Sequence, residues 1–129
     1  METCALIQAA IAARENAYAP FSHFRVGAAL LCCDGTVYTG CNIENSSYTP
    51  TLCAERCAMA KAISEGKRQF AAIAIVGSSE EYTTPCGVCR QFLFEFCDGS
   101  LPIICAKSET DYRVLTLGEL LPNGFRLKH

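Results

Sequence analysis

The chain has 129 residues, half of them apolar and about a fifth charged, which suits one domain over residues 1–129 with one core. A net charge of −2 and a pI near 5.6, without a run of Lys or Arg, exclude the electrostatic footprint of a protein that grips long nucleic acid. Apolar stretches stop well short of the ~20 residues a membrane helix needs, and the opening METCALIQAA has an early Glu and no basic segment, so neither a span nor a signal peptide is expected.

Residues 3–17 place Leu6, Ile7, Ala10, Ile11 and Arg14 at helical spacing, and the proline of YAPFS ends that helix. Two β-rich runs follow, FRVGAALLC and DGTVYTGCNI, with Asp34-Gly35 as a hairpin signal between them. ENSSYTPT has loop composition. Ala-rich CAERCAMAKAISEG predicts a helix closed by Gly66. FAAIAIVGS reads as a buried strand. TTPCGVCRQFLFEFC opens with a proline at or just before the first helical position and continues as an amphipathic helix. LPIICAKS and YRVLTL are two more strands, the second leading into a short helix around LGELL. Strands separated by helices imply crossovers and a parallel part to the sheet, whereas the hairpin is antiparallel. The expected fold is α/β: a mixed five-stranded sheet with helices on both faces, a three-layer α/β/α sandwich. Both cysteine-containing motifs then fall at helix N-termini.

Ten cysteines in so short a chain need a reading. Without a signal peptide, and with apolar content sufficient for a core, most are read as small apolar residues in a reducing compartment, the cytoplasm. Cys32 and Cys33 are adjacent in a strand-like run, so their side chains point to opposite faces.

CAERC and PCGVCRQ carry the chemistry. A thioredoxin-like redox pair would follow the first strand of a βαβ unit; here Cys86-x-x-Cys89 comes late, and Cys53 and Glu55 stay unexplained. Zinc fits better. Cys86 and Cys89 span one helical turn, and Cys53 can add a third thiolate. With Cys57 as a fourth the site is closed and structural; with three, one position stays open for water. Glu55 bears on that choice, because a carboxylate beside the metal can accept and pass on a proton, although a first-turn Glu is also favoured by the helix dipole alone. Three thiolates and Zn²⁺ sum to −1, so positive charge is needed nearby, and Arg56 is the candidate. His23 and His129 have no partner at ligand spacing and are not expected to bind metal.

C-A-E-R, followed 33 residues after its Cys by P-C-G-V-C-R-Q, resembles the zinc signature of the cytidine deaminases in its three-cysteine variant. YAPFSHFRVGAAL, GCNIENSSY, AIAIVG and NGF resemble the same family in order, so the likeness covers nearly the whole chain. It departs at His23, Ser46-Ser47 and Cys57, none of which belongs to the signature. The resemblance implies one Zn²⁺ per subunit on Cys53, Cys86 and Cys89, with Glu55 as proton carrier and Arg56 hydrogen-bonded to the ligand sulfurs. The implied reaction is hydrolytic deamination of cytidine or deoxycytidine in pyrimidine salvage. It further implies that Asn42 and Glu44 hold the ribose 3′-hydroxyl, that Phe24 packs on the pyrimidine, and that the backbone around Ala54 and Cys86 reads the base edge. Tyr48 and Phe125 resemble residues supplied to a neighbouring subunit's site, which makes a homotetramer with shared active sites the expected assembly. Two alternatives remain at this point: a non-catalytic interaction domain stabilised by a four-cysteine zinc site, and a deaminase acting on a polynucleotide base or a modified nucleoside.

Overall fold

Asp34-Gly35 turns the chain between β1 (Val26–Cys32) and β2 (Val37–Cys41), with Gly35 at φ 93° and the Thr36 amide donating to the Asp34 carboxylate at 3.0 Å. This computed structural model describes residues 1–78 and 80–128, so His129 lies outside the described residues. α1 (Thr3–Arg14) precedes the hairpin; α2 (Ala54–Ser64), β3 (Phe70–Gly77), α3 (Gly87–Phe94), β4 (Pro102–Ala106), β5 (Tyr112–Thr116) and α4 (Leu117–Leu120) follow.

The strands form one sheet in the order β2-β1-β3-β4-β5. β3 and β4 pair in parallel across the α3 crossover, and β1–β2, β1–β3 and β4–β5 pair antiparallel. Alternation along the central strands sends side chains to two cores, as the two-residue period of a strand requires. Ala29, Ala74, Val76, Ile104 and Ala106 meet Leu6, Ile7 and Ala10 of α1. Ala28, Leu30, Ile73, Ile75 and Ile103 meet Ala58, Met59 and Ala62 of α2 and Leu93 of α3. With both faces covered, a strand such as FAAIAIVG carries apolar residues without interruption. The expected three-layer sandwich with a mixed five-stranded sheet is therefore the observed one.

Two helices are shorter than the sequence suggests. α1 stops at Arg14 instead of running to residue 17, because the chain turns to bridge β2's exit: Tyr18 N donates to Asn42 O at 2.9 Å, and Glu44 N to Tyr18 O at 2.8 Å. α3 stops at Phe94, where Arg126 donates to the carbonyls of Phe94 and Cys97, each at 2.6 Å, and closes the helix from outside.

α2 lies close on β2. A Cβ on Gly40 would sit 2.5 Å from both Ala54 O and Ala58 N, so only glycine admits the helix backbone at that distance. All ten cysteines are free thiols, with Cys32 buried and Cys33 exposed. No helix among the described residues is long and apolar enough to cross a membrane.

Candidate active site

Cys53 and Cys86 occupy equivalent positions: each is the N-cap of its helix, α2 and α3 respectively, with extended backbone (φ −78°, ψ 156° and φ −69°, ψ 169°). Neither side chain caps its helix, so both thiols are free to point elsewhere. Pro85 precedes Cys86 and disfavours helical backbone at the residue before it, Thr84. Cys89 lies in the first turn of α3 and is buried. The three sulfurs lie within 4.8 Å of one another, with Cys53 Sγ and Cys86 Sγ 3.7 Å apart. That distance is far longer than a disulfide, about 2.05 Å. It matches the ~3.8 Å between sulfurs on a tetrahedron with Zn–S bonds of about 2.3 Å.

The protonation of the thiols makes the same point. The Cys53 thiol is pushed down to about 5, first by its hydrogen bond with the Cys89 side chain and then by Arg56, against the opposing effect of burial. Cys89, the other member of that bond, is pushed upward. Left to themselves Cys53 and Cys89 do not both ionise; a dication beside them is the partner that lets them. Donor chemistry and spacing both fit zinc.

Glu55 is the second residue of α2 and 4% exposed. Because Cys53 is extended while Glu55 is helical, side chains that an ideal helix would set ~200° apart converge on one point. The Glu55 carboxyl hydrogen-bonds the Cys89 side chain, and burial pushes its pKa up to about 7. A group titrating near neutrality can both take and return a proton. Arg56 donates through Nη2 to Cys53 Sγ at 3.5 Å and to Thr51 O at 3.1 Å, while its buried Nε has no protein partner. Arg56 thus lies against the Cys53 sulfur.

Cys57 is not in the group. It faces β2, where a Gly40 Cβ would meet its Cβ at 2.9 Å. Among the described residues, Cys53, Cys86 and Cys89 are the group of three or more His, Cys, Asp or Glu side chains that can hold a metal, and His23 is not among them.

Beside the sulfurs opens a cavity of about 260 Å³, lined by Phe24, Asn42, Glu44, Cys53, Ala54, Glu55 and Cys86. Asn42 fastens both sides of the Phe24–Arg25 segment: Nδ2 donates to Phe24 O at 2.7 Å, and Val26 N donates to Oδ1 at 2.8 Å. Glu44 accepts from the amides of Phe21 at 2.9 Å and Ser22 at 3.2 Å, and from the Ser22 hydroxyl, which holds its pKa low. Tyr48 and Phe125 do not reach this cavity. They are 76% and 64% exposed, and Phe125 instead lines a shallow apolar depression with Val88, Phe92 and Leu127.

Several contributors were not legible in the sequence. Thr51, Thr83 and Thr84 line the cavity from loops. Arg90 Nε donates to Pro85 O at 2.7 Å and Nη1 to Leu120 O at 2.8 Å, clamping the turn that presents Cys86. Gln91 donates to Phe125 O at 2.6 Å. The Arg-Gln pair directly after Cys89 was a visible signal; its targets depend on tertiary structure.

A metal clip that only staples a chain has no use for a carboxylate buried against its donors. Its presence, beside a cavity, marks a zinc-dependent hydrolase. Residues 1–105 match the model of the cytidine and deoxycytidylate deaminase zinc-binding region. The chain is 50% identical over 125 residues to a cytidine deaminase of Sporosarcina psychrophila, covering 97% of this chain and 92% of that protein. It superposes on the crystal structure of cytidine deaminase from Burkholderia pseudomallei with a TM-score of 0.93 and 49% identity, over 97% of this chain and all of that one. For the Mycobacterium tuberculosis cytidine deaminase structure the TM-score is 0.87 at 41% identity, covering 98% and 99%. The chain belongs to the cytidine and deoxycytidylate deaminase family.

Proposed function

We propose that this protein deaminates cytidine and 2′-deoxycytidine by hydrolysis, giving uridine or 2′-deoxyuridine and ammonia. The observation that carries this reading is Glu55, a buried carboxyl set against three zinc-spaced thiols at the wall of a cavity. Zinc held by Cys53, Cys86 and Cys89 supplies Lewis acidity toward water when bound. Glu55 takes a proton from the attacking water and delivers it to ring N3. The water oxygen bonds to C4; the C4–N4 bond breaks as Glu55 passes the remaining proton to the departing amino group. One water thus divides into the new carbonyl oxygen, the proton on N3 and the extra hydrogen of ammonia.

Phe24 packs on the pyrimidine, and the backbone at Ala54 and Cys86 reads the base edge. Asn42 and Glu44 bind the ribose 3′-hydroxyl with the amide hydrogen and carboxylate lone pairs their internal bonds leave over. The exposure of Tyr48 and Phe125 supports their service in a neighbouring subunit's site, within a homotetramer. The whole chain acts as one domain, in the cytoplasm, in pyrimidine salvage. The acid-leaning charge favours a free nucleoside over a polynucleotide.

The test follows cytidine absorbance with the purified protein before and after chelation, with Glu55→Gln as control. Turnover is expected to vanish on chelation and return with zinc. Glu55→Gln should retain zinc and lose about 10²–10⁴-fold in kcat. Activity on a single-stranded oligonucleotide but not on cytidine would overturn the reading.

A further inference from the structure

Gly77, the last residue of β3, lies behind the cavity wall and does not line it. A Cβ built there would stand 2.3 Å from Thr83 Oγ1 and 2.8 Å from Phe24 Cζ, distances that real Cβ atoms do not show. Gly77 itself cannot yield. It is buried, it pairs with Val26 of β1, and its carbonyl accepts from Arg14 Nη1 of α1 at 2.7 Å.

The backbone carrying Phe24 is held just as firmly. Phe24 N donates to Ser22 Oγ at 3.0 Å, Phe24 O accepts from Asn42 at 2.7 Å, and Arg25 N donates to Ser78 Oγ at 3.1 Å. What remains free to move is the Phe24 ring and the Thr83 side chain, and both line the cavity. The Thr83 hydroxyl is buried without a hydrogen-bond partner, so no bond of its own fixes it there. Any side chain at residue 77 therefore has to displace the ring and the threonine, both of which border the cavity.

We propose that Gly77 is a positioning residue for the pyrimidine site: its missing side chain is the recess into which the Phe24 ring and Thr83 settle, which sets the cavity's depth. The inference rests on the nucleoside-deaminase reading given above. Because a Cβ at residue 77 meets Phe24 and Thr83 and not Glu55, the loss of the recess acts on KM more than on kcat.

The test uses the full chain loaded with zinc and compares Gly77→Ala in the parent, Thr83→Ala and Phe24→Leu backgrounds. The readouts are steady-state cytidine kinetics and calorimetric affinity for the product uridine. In the parent background, KM and the uridine Kd are expected to rise about tenfold with kcat changed less than about threefold. In either other background one of the two overlaps is gone and the other remains, so the same change should cost about two- to threefold. Equal losses in all three backgrounds, or KM and Kd within about twofold of the parent after Gly77→Ala, would overturn the proposal. If Gly77→Ala is insoluble alone, the Thr83→Ala background carries the test. There the remaining overlap with Phe24 predicts a weakened uridine Kd, and an unchanged one overturns the proposal. A parent chain that does not turn over cytidine rejects the functional reading and this inference together, whereas an active parent with an indifferent variant rejects the inference alone.

Discussion

Replacing Arg56 by Gln removes one positive charge 3.5 Å from Cys53 Sγ. Three thiolates and a zinc ion carry −1, and Arg56 brings that sum to zero. At that separation and an effective dielectric near 20, the gross attraction between the guanidinium and one thiolate is about 5 kcal/mol. Exchange with water reduces a charged hydrogen bond to a net of about 1.5–3 kcal/mol. The expected cost is therefore about ten- to a hundredfold in zinc affinity, the range typical of groups that support metal ligands from behind. Chelator competition measures the affinity, and cytidine absorbance the rate, which should fall as well. Arg56→Lys keeps the charge without the planar fork and should fall between Gln and Arg. Thermal unfolding of the zinc-loaded variants checks that the fold persists. A Gln variant with parental zinc affinity and parental kcat would refute the charge-balance argument.

Cys57→Ala should keep a full equivalent of zinc and at least most of the activity, as read by metal analysis and turnover, since Cys57 faces Gly40 and β2 and not the sulfurs. Gly40→Ala would push α2 back by roughly 1 Å, costing about 1–3 kcal/mol in urea unfolding and up to about a hundredfold in kcat through misplacement of Glu55. Cys97, pushed up to about 12 mainly by burial, keeps its proton in the fold while the unfolded chain begins to release it near the thiol's ordinary 9.0. Its contribution is thus intact below about pH 9 and is lost as pH rises toward 12, at up to about 1.4 kcal/mol per pH unit. Urea midpoints between pH 9 and 11 should fall less steeply for Cys97→Ala than for the parent; equal slopes would refute the assignment.

The order and type of the elements were legible because they rest on local rules. Asp34-Gly35 marked a hairpin, FAAIAIVG a strand covered on both faces, and Pro85 the approach to a helix. The helix ends were less so. α1 yields to the pairing of Tyr18 with the chain beyond β2, and α3 is closed by Arg126, 32 residues beyond Phe94. Cys53, Glu55, Cys86 and Cys89 announced themselves through residue type and spacing, since few arrangements need two cysteines one turn apart and a carboxylate two residues from a third.

What the sequence determined by itself was the chemistry available: three thiolates, one carboxylate and one arginine, each at a helix entrance. Tertiary structure decided which of them meet. The choice between three and four ligands turned on the direction of Cys57, which helical spacing alone left open and the close seat of α2 on Gly40 settles. Thr83 and Gly77 had no local signal, and Arg90 none for its targets, because their contacts join segments that only the folded sheet brings together. Local sequence dictates backbone conformation within a turn or two; strand order and packing distance dictate which side chains share a site, and those are properties of the whole chain.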